Sequence, residues 1–156
     1  MCKKNGLTMK IARKQDLLAC ALVCALAFAT STARAADLAG SVQGAAKPIA
    51  GATVTLYATG TGAPTQLAQA KTDDQGAFKL TYGKAPADSV LYVIARGGTP
   101  KAAADNGPNN AIALLAVLGG TPPKRIVVNE FSTIASVWTS AQFLKREVLS
   151  GTKLGL

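Results

Sequence analysis

The side chains able to do chemistry are few, and the commonest of them is absent: the 156-residue chain contains no histidine. Without an imidazole there is no Ser-His-Asp or Cys-His arrangement, no histidine-built zinc site and no ordinary general base. Lysine-activated serine and paired carboxylates remain, the latter being the machinery of glycoside cleavage. Beyond residue 35 the carboxylates are Asp37, Asp73, Asp74, Asp88, Asp105, Glu130 and Glu147. Most fall in turn-like sequence, and Glu130 opens a helix pattern, where a negative charge meets the positive end of the helix dipole. Each is read as structural. No catalytic, cofactor-binding or metal residue is assigned, and the chain is expected to be non-enzymatic. Gly60-Thr61-Gly62 lacks the Lys-Ser/Thr pair and helix start of a phosphate cradle and reads as a loop. Asp73-Asp74-Gln75-Gly76 lacks the spaced ligands and distal glutamate of a calcium loop and reads as a hairpin turn with Gly76 at positive φ. Asp105 to Asn110 is oxygen-rich but reads as an ordinary loop. Tyr57, Tyr82 and Tyr92 are the residues that can stack on sugar rings, and each is equally an ordinary sheet residue.

The elements that position these groups follow an amino-terminal segment of a different kind. Lys3, Lys4, Lys10, Arg13 and Lys14 form a basic run, Leu17 to Thr30 an apolar one, and Ala33-Arg34-Ala35 a small-residue cleavage site before Ala36. That order is a signal peptide over residues 1–35, with an apolar run short for a membrane span. The remainder is expected to be exported to the periplasm, cell surface or outside, with no stable membrane insertion after cleavage. All three cysteines (Cys2, Cys20, Cys24) lie in the removed segment, so the remainder has no disulfide or thiolate and depends on core packing. Most of the apolar run follows Cys20, which argues against lipidation there.

The net charge of +9 comes from 17 basic and 8 acidic residues. Six of the basic and one of the acidic residues lie in the first 35, leaving 11 − 7 = +4. These charges are scattered, with Lys124-Arg125 and Lys145-Arg146 the only adjacent basic pairs. A nucleic-acid partner is excluded for want of a concentrated basic face with readers.

From Asp37 to Asn129, short runs of period two alternate with Gly, Pro, Asn and Asp clusters, the pattern of an antiparallel sandwich. Strands are expected near Leu38 to Gln43, Ala52 to Ala58, Gln66 to Thr72, Ala77 to Tyr82, Val90 to Arg96, Ile112 to Leu118 and Arg125 to Asn129. In the second, Ala52, Val54 and Leu56 face a core while Thr53, Thr55 and Tyr57 meet water. After Pro122-Pro123 and the last strand the period changes. Asn129 can cap a helix on which Ile134, Val137, Trp138, Ala141, Leu144 and Val148 recur at three- and four-residue spacing, with Gly151 as its end. This stripe must be covered by the sandwich, by a partner or by later sequence, and docking on its own sandwich is the leading expectation. If a partner covers it, Trp138, Ile134, Val137 and Leu144 are the interaction surface.

Three segments carry a family resemblance. Gly40-Ser41-Val42, then Pro48-Ile49-Ala50-Gly51-Ala52-Thr53-Val54-Thr55-Leu56, then Thr72-Asp73-Asp74-Gln75-Gly76-Ala77-Phe78 resemble the carboxypeptidase regulatory-like domain family over about residues 37–96. The resemblance implies an all-β, prealbumin-like or Ig-like Greek-key sandwich of about seven strands. That domain is a non-catalytic accessory module of exported bacterial proteins, so it supplies no catalytic residue. The expected organisation is a signal peptide (1–35), a sandwich (36–129) and a carboxy-terminal amphipathic helix with tail (130–156). The expected function is structural or protein-binding in the bacterial envelope, with a protein or envelope component as partner. The alternatives are a carbohydrate-contacting accessory module or the front part of a larger exported protein.

Overall fold

Alternation of small apolar and β-branched residues makes Thr53–Ala58 a strand whose Val54, Leu56 and Ala58 are fully buried on one face. It sits inside a sheet in the computed structural model, which describes residues 35–101 and 107–152. The amino-terminal segment, the Asp105 loop position and the last four residues lie outside these. In chain order the strands are β1 (Ala36–Gly44), β2 (Lys47–Ala50), β3 (Thr53–Ala58), β4 (Thr65–Lys71), β5 (Ala77–Tyr82), β6 (Leu91–Arg96), β7 (Thr99–Pro100), β8 (Ala113–Gly119) and β9 (Arg125–Val128). Helix α1 (Glu130–Thr139) and the short hairpin β10 (Leu144–Lys145) and β11 (Val148–Leu149) follow.

Strands β1 to β9 form two sheets, and β10 pairs only with β11. In one, β1 pairs antiparallel with β5 from Ala36↔Tyr82 to Ser41↔Ala77 and parallel with β9 from Ala39↔Arg125 to Val42↔Val128. The end of β1 turns into β2, which pairs with β7. The other is antiparallel throughout, in the order β4-β3-β6-β8, with irregularities at Leu56/Tyr57 and Leu91/Tyr92. Leu38, Val42, Phe78, Leu80, Ile126 and Val128 of the first sheet share one core with Val54, Leu56, Leu91, Val93 and Ala116 of the second. The architecture is therefore an all-β sandwich with one short helix among the described residues.

Several connections depart from the expected ones. Asp73 to Gly76 is not a hairpin turn: β4 pairs with β3 and β5 with β1, so the segment carries the chain from one sheet to the other. Its local chemistry is as expected. Asp73 Oδ1 accepts from the N–H groups of Gln75 (2.9 Å) and Ala77 (2.8 Å), and Gly76 has φ +71°. A Cβ at Gly76 would lie 2.6 Å from the Val42 carbonyl oxygen. The β1–β2 turn is made by Ala45 and Ala46 at φ 49° and 61°, a left-handed pair that usually calls for Asn or Gly. Thr55, expected to meet water, is buried and accepts a hydrogen bond from Gln69 Nε2 of β4 at 3.0 Å. Thr72 is buried as a link between segments: its hydroxyl donates to Ile49 O and accepts from Ala52 N–H, both at 2.8 Å.

β6 is buried on both faces. Its second face, with Tyr92 and Ile94, joins Leu115 under Leu149, Phe143 and Leu144. The described residues form one compact unit, and the carboxy-terminal hairpin covers the sandwich and shares this second core with it.

Candidate functional site

The ten residues of α1, after β9, carry four of the exposed large apolar side chains among the described residues. Asn129 has extended backbone (φ −151°, ψ −171°), and its side chain accepts from Ser132 N–H while Ser132 Oγ accepts from Asn129 N–H, both at 2.9 Å. This reciprocal cap satisfies two otherwise orphaned donors and fixes the start of α1. Glu130 lies in the first turn, and its Oε1 accepts from Ala45 N–H at 2.7 Å, which ties the strained β1–β2 turn to the helix.

At 100° per residue, Ser132, Thr133 and Ser136 fall on one face of α1, and Phe131, Ile134 and Trp138 fall on the opposite one. The hydroxyl face points inward. β8 is the last strand of its sheet, so alternate backbone groups have no neighbouring strand. The helix supplies their partners: Leu115 N–H donates to Thr133 Oγ1 and Val117 N–H to Ser136 Oγ, both at 2.9 Å, while Ser132 Oγ donates to Leu115 O at 3.0 Å. Ser136 is the buried residue of the helix.

The apolar face consequently points out. Trp138 is 84% exposed, Phe131 80%, Ile134 66% and Val137 42%. This corrects the expectation that the stripe docks on its own sandwich. The physical reason is that buried backbone N–H and C=O groups require partners, and the hydroxyl face provides them where an apolar face cannot. The helix is also shorter than the stripe. It ends at Thr139, with Ser140 N–H donating to Ser136 O, and Leu144 and Val148 stand on the β10–β11 hairpin. Leu144 packs with the second core, so it leaves the surface formed by Trp138, Ile134 and Val137. That surface gains Phe131, which the sequence reading passed over although it stands seven residues before Trp138, two helical turns away on the same face.

The tyrosines form no shared exposed platform. Tyr82 faces the core between the sheets. Tyr57 and Tyr92 stack with ring centroids 5.3 Å apart, but Tyr92 is 1% exposed and the carboxy-terminal hairpin covers the pair. Burial raises the Tyr92 phenol above its ordinary value of 10.0, with a hydrogen bond accepted from the Leu149 backbone opposing it. Burial likewise raises Tyr82.

Asp37, Asp73, Glu130 and Glu147 are dispersed, and each is engaged locally. Asp37 accepts from Lys79 Nζ at 2.9 Å and from Thr81 Oγ1 at 2.8 Å, and hydrogen bonds from Lys79 first and Thr81 second hold its carboxyl below the ordinary 3.8. Glu147 pairs with Arg96. Among the described residues no group of three or more His, Cys, Asp or Glu side chains is placed to hold a metal ion. Among the same residues no helix is long and apolar enough to cross a membrane.

No family model matches the chain, and no curated protein matches it. Among solved structures, it is similar to an alternative pilotin from the type II secretion system of Vibrio cholerae, at 16% identity and a TM-score of 0.40, over 62% of this chain and 95% of that one. It is also similar to a 9R-lipoxygenase from Cyanothece PCC8801, at 17% identity and a TM-score of 0.35, over 62% of this chain and 16% of that one. Likenesses this distant assign neither a family nor an activity.

Proposed function

We propose that the chain is an exported, non-enzymatic binding module of the bacterial envelope, and that the outward face of α1 is its binding surface. The observation that carries this reading is the orientation of α1: a helix with hydroxyls inward leaves Phe131, Ile134, Val137 and Trp138 in water. Contiguous exposed apolar surface of this kind marks interaction sites, and aromatic anchors at helical spacing are how helices engage partners. Export rests on the amino-terminal basic run, apolar run and Ala-x-Ala site. The accessory role, and a Greek-key prealbumin-like topology, rest on the resemblance to carboxypeptidase regulatory-like domains. The absence of histidine and the local engagement of Asp37, Asp73, Glu130 and Glu147 support a non-catalytic role.

The test is a photo-crosslinking side chain placed at Trp138, with one at exposed Gln75 as control, in the native host. A discrete envelope adduct from position 138 and none from position 75 is the expected result. Adducts from both positions, or none from position 138 to either protein or lipid, would remove the reading.

A further inference from the structure

Among the described residues, the unpaired charges that flank α1 in sequence are of one sign. From Phe131 to Leu144 the chain has no ionisable side chain. The two carboxylates bordering this stretch are occupied, Glu130 by Ala45 N–H and Glu147 by Arg96. The two bordering cations, Lys145 and Arg146, are exposed and make no ion pair among the described residues. Arg146 stands at the tip of the β10–β11 hairpin at φ 58°, and it lines a groove together with Val137 and Thr133 of α1.

We propose that the outward face of α1 docks the module peripherally on an anionic phospholipid surface, with Phe131, Ile134, Val137 and Trp138 entering the headgroup boundary and Lys145 and Arg146 meeting lipid phosphates. This rests on the reading of that face as the binding surface and names what it binds. Size favours lipid over protein. A stable protein interface removes roughly 800 Å² from each partner, whereas ten helical residues span about 15 Å, with Ile134, Val137, Trp138 and Ala141 lining an apolar groove along them. A bilayer boundary requires no matching shape. Apolar side chains enter it by about 5–10 Å, and an indole sits at headgroup level with its N–H on a polar group. Charge selects the lipid, since each basic residue near an anionic leaflet strengthens attachment about fivefold. The docking is superficial, because α1 is half the length of a spanning helix.

Trp138 is the only tryptophan, so its emission reports on this face alone. The protein in the form its host exports, with its intact mass recorded, is mixed with vesicles of phosphatidylglycerol and phosphatidylcholine, and separately with phosphatidylcholine alone. The expected result is a blue shift, with quenching by brominated acyl chains, on the anionic vesicles and a much smaller response on the neutral ones. Added salt should reverse part of the response. Lys145→Gln with Arg146→Gln should weaken partitioning about thirtyfold. Phe131→Ser with Ile134→Ser should abolish the shift while the unfolding midpoint stays in place, because both side chains are already in water.

Unchanged emission at saturating anionic lipid would overturn the proposal, as would equal binding to neutral vesicles or a shift that survives both double variants. If vesicles leave Trp138 unmoved while position 138 still crosslinks to an envelope protein, the lipid assignment fails and the binding surface stands. If both responses are absent, the binding surface fails as well.

Discussion

Three hydroxyls decide which way α1 faces. Val117 N–H has Ser136 Oγ as its partner, and Ser136 is buried, so Ser136→Ala leaves a half-buried donor without an acceptor. The expected cost is about 1–3 kcal/mol in urea unfolding. Thr139→Ala is the matched control. Its hydroxyl donates only within its own helix, to Ala135 O and Ser136 O, and the change is expected to stay within about 0.5 kcal/mol. Asp37 gives a pH-dependent counterpart. Its carboxyl is held below 3.8 by Lys79 and Thr81, so its contribution is present above 3.8 and is lost as pH falls through the lowered value. The stability gap between the native chain and Asp37→Asn, followed by acid titration of unfolding, is therefore expected to close in that range and to remain constant above it.

Elements were legible wherever a period of two met a clear boundary. Each of the seven expected strands is present, with ends within two residues, because short runs rich in Val, Leu, Ile and Tyr, alternating with polar residues in β3 and β5 and continuously apolar in β6 and β8, lie between turn-forming breaks. β2 and β7 were not anticipated. The β1–β2 turn is Ala45-Ala46, a pair with no turn signature, and Pro48 and Pro100 argue locally against strands. The helix was placed correctly at its cap and extended too far at its end. Spacing alone cannot distinguish a helix that continues to Val148 from a hairpin that brings Leu149 down on Tyr92 and Ile94. The burial of Leu149, at 0% exposure, settles the matter, and Leu149→Ala is expected to cost about 2–5 kcal/mol by the cavity it leaves. Gly76→Ala should also destabilise, since the new Cβ meets the Val42 carbonyl oxygen at 2.6 Å in a left-handed backbone.

At the scale of the molecule, the carboxy-terminal segment completes a sandwich that would otherwise be unfinished. The β10–β11 hairpin covers the outer face of β6 and β8, and α1 covers the free edge of β8. A chain ending at Val128 is expected to self-associate in size-exclusion chromatography, because Tyr92, Ile94 and Leu115 and an unpaired strand edge would then face water. The candidate surface was half legible for the same reason. A period of 3.6 divides a helix into two faces, but which of them turns inward depends on what the neighbouring element lacks, and β8 lacks hydrogen-bond partners rather than apolar cover. The most direct test is the emission and acrylamide quenching of Trp138 in the purified monomer without lipid. Water-exposed emission with full quenching is the predicted result. A blue-shifted, protected Trp138 in that monomer would mean that the apolar stripe docks on its own sandwich, and the binding surface would not exist.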